Sequence, residues 1–125
     1  AAVDAVLERR LAVATRLLYQ LLAAGQSVQS IISQIGTQLR RVLIAQELLS
    51  ADASPATDRD KMAARVGASP GYQLTKTIEQ ASRFPGEYLA ESMRRLLQAD
   101  LAIKSGEIDE RLALELLTAR LASGR

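Results

Sequence analysis

With neither Cys nor His among its 125 residues, the chain has no thiol nucleophile, no disulfide, none of the commonest zinc ligands and no imidazole general base. Carboxylates and guanidiniums remain. Glu107, Asp109 and Glu110 cluster near a turn, where they would bind a cation or work as a carboxylate pair. Equally, acids at a helix N-terminus stabilise it through its dipole. No Gly-rich run ends in Gly-Lys-Ser or Gly-Lys-Thr, and no Gly-x-Gly-x-x-Gly occurs, so neither familiar phosphate-cradling loop is present. The chain alone is not expected to hydrolyse ATP or to act as an enzyme, and no catalytic, cofactor-binding or metal-binding residue is assigned.

Asp100 falls beside an apolar stripe, four residues after Leu96 and one before Leu101. A half-buried carboxylate needs a partner. Lys104, one helical turn on, is placed for an i to i+4 pair and for the helix C-terminus; alternatively the two reach a neighbouring subunit. The pairs Arg9-Arg10 and Arg40-Arg41 would contact phosphates or acidic partners, or lie at the edge of apolar stripes with their stems laid along them. Arg41, between Leu39 and Val42, is the one most expected to be covered by a partner.

Residues 62 to 74, Met-Ala-Ala-Arg-Val-Gly-Ala-Ser-Pro-Gly-Tyr-Gln-Leu, follow a helix-turn-helix pattern. If it read DNA, Tyr72, Gln73, Lys76 and Thr77 would lie near the start of the recognition helix and face the major groove. The same spacing occurs in structural helical hairpins, and Lys76 is the sole cation in the set.

These residues must be held by helices. Ala (21 residues) and Leu (20) make up about a third of the chain, whereas aromatics are scarce, with three Tyr, one Phe and no Trp; the balance favours helix over sheet. Val3, Leu7, Leu11, Ala14, Leu18, Leu21 and Leu22 recur at three- and four-residue steps, predicting a helix from Val3 to Ala24 stopped by Gly25. Ser27 caps a second helix to Ser50, with Val28, Ile31, Ile32, Ile35, Leu39, Val42, Leu43 and Leu49 inward. Residues 51–57 read as a loop around Pro55.

A short helix from Asp58 to Val66 ends at Gly67. Ser69-Pro70 supplies a cap and first-turn proline for a fourth helix through Arg83. The fifth, from Glu87 to Ser105, is expected to carry Leu89, Met93, Leu96, Leu97, Leu101 and Ala102 inward and to end at Gly106. Asp109 caps the last helix. Its Leu112, Leu114, Leu116, Leu117 and Leu121 cover more than one face, so it is expected to be buried on two sides. The reading is all-α: a compact bundle of about six helices in a single domain, residues 1–125.

At this length a real core is attainable without disulfide or metal. Sixteen Lys plus Arg against 14 Asp plus Glu leave a net charge of +2, a weak attraction to nucleic acid. No apolar run reaches the roughly 18 residues of a membrane span, and residues 1–10 lack the apolar block of a signal peptide; a cytoplasmic location away from membranes is expected. The start, Ala-Ala-Val-Asp, is already in helical pattern without an initiating Met, which suggests a piece of a longer polypeptide.

Gln80-Ala-Ser-Arg-Phe84, Leu96-Leu-Gln-Ala-Asp-Leu-Ala-Ile-Lys-Ser-Gly106 and Arg111-Leu-Ala-Leu-Glu-Leu-Leu117 are similar to the end of the delta subunit of bacterial DNA polymerase III. In that family an Asp-Leu-Ala-x-Lys-x-Gly run closes one helix, and Asp100, Lys104 and Gly106 match it. Upstream, Arg-Arg-Val-Leu at 40 to 43 and Ala-x-x-Val-Gly at 63 to 67 come in the family's order. The resemblance covers nearly the whole chain. It implies the all-helical collar domain of a clamp-loader protein whose two AAA+-type modules are absent here, packing beside gamma or tau and delta prime. The sliding clamp and primed DNA would be met through the full assembly. Arg40, Arg41, Asp100, Lys104 and Arg111 are then the candidate interface or structural polar residues.

Overall fold

A computed structural model describes residues 11–50 and 59–123 of the chain. Among the described residues there are six helices and no strand: α1 (Leu11–Ala23), α2 (Val28–Ser50), α3 (Arg59–Val66), α4 (Tyr72–Arg83), α5 (Gly86–Lys104) and α6 (Glu110–Ser123). Val3, Leu7, Arg9 and Arg10, the loop at 51–57 and the predicted start at Asp58 lie outside the described residues.

The helix ends follow local chemistry. Gly25, Gly67 and Gly106 all have positive φ, at 94°, 81° and 78°. Behind each, the next N–H reaches back five residues: Gln26 to the Leu21 carbonyl, Ala68 to Ala63, Glu107 to Ala102. This is the Schellman ending, which needs a residue free to enter the left-handed region. At the opposite ends, Ser27 Oγ accepts the Ser30 N–H at 3.0 Å and Asp109 Oδ2 accepts the Leu112 N–H at 3.1 Å, the expected N-caps.

One start differs from expectation. Helix α4 begins at Tyr72, with Gly71 at the cap position and no side-chain cap bond. Pro70 sits in the turn before it, and the Gln73 side chain reaches back to accept the Ser69 N–H at 2.9 Å. The Ser69 carbonyl already accepts the Leu74 N–H, so the backbone makes a wide turn before helical geometry begins.

The chain divides into two compact units, one of residues up to Gly36 together with those from Glu91 onward, the other Thr37–Ala90. In the first, α1 packs against α6. Its core is Leu18, Val28, Ile31, Ile32, Ile35, Leu96, Ala113, Leu114, Leu117 and Leu121. Gly36 lets the Leu96 side chain approach: a Cβ there would stand 2.9 Å from Leu96 Cδ2. In the second, Leu39, Val42, Ala45, Met62, Ala63, Val66, Leu74, Ala81, Phe84 and Leu89 are buried, and the Phe84 and Tyr88 rings pack at 5.4 Å.

Two burial expectations are corrected. Leu97 and Leu101 are not inward but 60% and 68% exposed. The buried line of α5 runs through Leu89, Ser92 and Leu96, and a residue one step past Leu96 is rotated about 100° from it. The last helix buries one side, through Ala113, Leu114, Leu117 and Leu121, while Leu112 and Leu116 stand 47% and 42% exposed. Among the described residues, the apolar positions around more than one face of this helix therefore do not find two-sided cover.

Candidate interaction surface

In the first unit, helix pairing brings three polar side chains together. The Tyr19 hydroxyl donates to Glu115 Oε1 at 3.0 Å. The Arg111 guanidinium lies 5.2 Å from the Tyr19 ring centroid, over its face, and its Nε is 3.7 Å from the same carboxylate oxygen. Arg111 and Glu115 are one turn apart on α6, which presents both to α1. The carboxylate favours the protonated phenol, so the Tyr19 hydroxyl titrates above its ordinary range, first because it donates to Glu115 and second because of that negative charge. A phenol held protonated is a structural group here, not a base.

Lys104 Nζ is 2.8 Å from Asp100 Oδ2, the pair predicted from their spacing. Asp100 is half-buried while Lys104 is exposed in the last turn of α5. On the same helix Glu91 takes both Arg94 and Arg95. Its carboxyl is held below the usual range, chiefly by the hydrogen bond from Arg94.

Leu97 and Leu101 are i and i+4 on α5, and Leu112 and Leu116 are i and i+4 on α6, so each pair shares a face. Full burial of an exposed leucine side chain stabilises by about 1.5–3 kcal/mol. Sequence reasoning placed all four inside. What it missed was the side of the stripe, and it missed Tyr19 and Glu115 because 96 residues separate them.

In the second unit Arg41 is bonded within the chain. Its Nε donates to the Gly67 carbonyl at 2.9 Å, at the C-terminal end of α3, and its Nη1 to Gln38 Oε1 at 3.4 Å. A guanidinium at the carbonyl end of a helix also suits the dipole. Arg40, beside it, is exposed. The residues proposed to read DNA are not brought together on one open face. Tyr72 is 74% exposed, but Gln73 is bonded to Ser69 and Lys76 lies 4.0 Å from Glu79. Thr77 is fully buried, donating to the Gln73 carbonyl and accepting from Gln38. It is removed from the DNA-facing set, because helix packing turns its side chain to the core.

Among the described residues no group of three or more acidic side chains is gathered to hold a metal ion, and no helix is long and apolar enough to cross a membrane. Asp109 is the cap of α6 and Glu110 lies in its first turn, the helix-end reading of the Glu107-Asp109-Glu110 cluster.

Comparison with known proteins supplies the family of this all-α architecture. The family model for the C-terminal domain of the DNA polymerase III delta subunit matches residues 1–121. The chain belongs to that family. The delta C-terminal fold is also what a solved structure displays: the Bacillus subtilis DNA clamp loader delta protein (YqeN) superposes with a TM-score of 0.83 at 21% identity. The match covers 98% of this chain and 34% of that one, so this delta C-terminal domain spans about a third of that protein's length. No curated protein matches the sequence.

Proposed function

We propose that this delta C-terminal domain is a collar, packing beside gamma or tau and delta prime to hold delta in the assembly that loads the sliding clamp onto primed DNA. The observation that carries the reading is the family match over residues 1–121. The exposed pairs Leu97 and Leu101, and Leu112 and Leu116, support it, since packing between subunits would give them cover. In this role the domain has no catalytic residue and needs no cofactor. It meets the clamp and primed DNA through the whole assembly, in the cytoplasm.

The test is to mix the full-length protein carrying this domain with gamma or tau and delta prime, and to measure mass by light scattering after size exclusion. A stable complex, weakened by Leu101→Glu, Leu112→Glu, Asp100→Ala or Arg111→Ala, is expected. No association at micromolar concentration would overturn the reading. Helix-turn-helix DNA reading is not favoured, given the burial of Thr77.

A further inference from the structure

In the second unit, a chain of side-chain hydrogen bonds around the turn between α3 and α4 closes on itself. Arg41 Nε donates to the Gly67 carbonyl at 2.9 Å, and its Nη1 to Gln38 Oε1 at 3.4 Å. The Gln38 amide in turn donates to Thr77 Oγ1 at 3.2 Å, with a branch to Gln80 Oε1 at 2.9 Å. Thr77 Oγ1 donates to the Gln73 carbonyl at 2.8 Å, and Gln73 Oε1 accepts the Ser69 N–H at 2.9 Å. Only Ala68 then separates Ser69 from Gly67, where the circuit began. Gln38 and Thr77 are its buried stretch, and Arg41 is its half-buried outer edge.

The links have one workable direction. A guanidinium has donors only, so Gln38 turns its oxygen toward Arg41 and its N–H groups toward Thr77 and Gln80. The single Thr77 hydroxyl proton is spent on the Gln73 carbonyl, so Thr77 can only accept from Gln38. With Gln38 flipped, its amide would meet the guanidinium donor to donor and the Gln80 oxygen acceptor to acceptor. We infer that Arg41 is the positioning residue of the α3–α4 turn, setting the direction of a hydrogen-bond circuit that holds residues 67–74 in one conformation. Bonds in such a buried chain orient and strengthen one another. Gly67, at φ 81°, is a backbone position with freedom for the circuit to remove. Gln73 and Thr77, candidates for base reading in the sequence, serve the turn itself here, a role that needs no nucleic acid.

Hydrogen exchange of the full-length protein, read by mass spectrometry over residues 67–74, tests this, because local opening sets the exchange rate there. Arg41→Met keeps most of the stem and loses the donors; it is expected to speed exchange of the turn about tenfold, the scale of one lost buried hydrogen bond, with residues 96–121 unchanged. Arg41→Lys, which can donate to only one of the two acceptors at a time, is expected to fall between. Gln73→Ala is expected to act like Arg41→Met, whereas Gln73→Glu keeps the acceptor for Ser69 and is expected to exchange as wild type. Arg41→Met combined with Gln73→Ala is expected to do no more than the stronger single change, since a circuit opens once. Arg40→Met, an exposed neighbour outside the circuit, is the control. Wild-type exchange of the turn in Arg41→Met would overturn the assignment, and so would effects of Arg41→Met and Gln73→Ala that multiply. A rise spread equally over residues 96–121 would make Arg41 a contributor to global stability and overturn it too. Salt-dependent binding of duplex DNA, abolished by Arg41→Met with the turn's exchange unchanged, would assign the guanidinium to phosphate instead.

Discussion

The Gln46 side-chain amide donates to the Phe84 carbonyl at 2.5 Å and to the Ala81 carbonyl at 3.2 Å, so one residue of α2 closes the C-terminal end of α4. Those carbonyls belong to a helix end, where the last four have no intrahelical donor. Phe84 is extended, at φ −96° and ψ 135°, and is followed by Pro85, so no glycine ending is available there. A side chain from another helix takes its place.

Replacing Gln46 with Leu leaves both carbonyls without that donor in a half-buried setting. The expected cost is about 1–3 kcal/mol, a fall in melting temperature of several degrees for a domain of this size. Gln46→Glu is expected to be at least as damaging, because a carboxylate oxygen would face carbonyl oxygens. Thermal unfolding of both variants checks this; a change below about 0.5 kcal/mol, the usual range of surface substitutions, would show the contact to be incidental.

Gln38 is buried among polar neighbours. Its amide donates to Gln80 Oε1 at 2.9 Å and Thr77 Oγ1 at 3.2 Å, joining α2 to α4 inside the core of the second unit. Gln38→Leu alone is expected to destabilise by about 1–3 kcal/mol, since it removes the buried donor that Thr77 Oγ1 and Gln80 Oε1 accept from. Combining it with Thr77→Val and Gln80→Leu is expected to cost less than the sum of the single changes. Urea unfolding of the singles and the triple decides; strict additivity would mean the three do not act as a network.

Tyr19 gives a pH dependence with a definite sign. Its phenol pKa is raised in the fold by Glu115. The associated stability is therefore present below the unfolded tyrosine value of about 10 and lost as pH rises through the folded value. Glu115→Gln is expected to return Tyr19 toward its ordinary range and to flatten that alkaline loss. Ultraviolet titration of tyrosinate, with Tyr72 and Tyr88 replaced by Phe to isolate the signal, measures it; an unchanged titration in Glu115→Gln would contradict the assignment.

Gly36 and Leu96 should be coupled. An alanine at 36 would bring its Cβ to 2.9 Å from Leu96 Cδ2, and overpacking typically costs about 1–3 kcal/mol. Helix propensity offsets roughly 1 kcal/mol of this. Gly36→Ala is expected to be mildly destabilising with Leu96 present and stabilising in a Leu96→Ala background. Equal effects in the two backgrounds, from a double-mutant cycle on chemical unfolding, would remove the steric account.

Much of the local structure was legible from residue types. Gly25, Gly67 and Gly106 end helices with positive φ, Ser27 and Asp109 cap them, and Asp100 pairs with Lys104 one turn on. Each involves residues within a few positions of one another, so spacing suffices. The family was legible too, from the order of its segments. The start of α4 was misplaced by two residues because Ser69-Pro70 fits a cap, whereas Gly71 and the reach of Gln73 to Ser69 set the turn.

Residue order alone was enough to establish that the chain is helical, where most helices end and which family it belongs to, because periodicity, glycine freedom and capping chemistry act over one or two turns. Packing settled which leucines are covered and what buried polar groups serve. Leu96 and Leu97 are chemically identical and adjacent, yet one is 4% and the other 60% exposed, and a rotation of about 100° relative to the packed neighbour separates them. Gln38, Gln46, Tyr19 and Thr77 likewise have roles set by partners 35 to 96 residues away in the chain. Burial and long-range hydrogen bonding depend on which helix faces lie against one another, and that is fixed only when the helices pack.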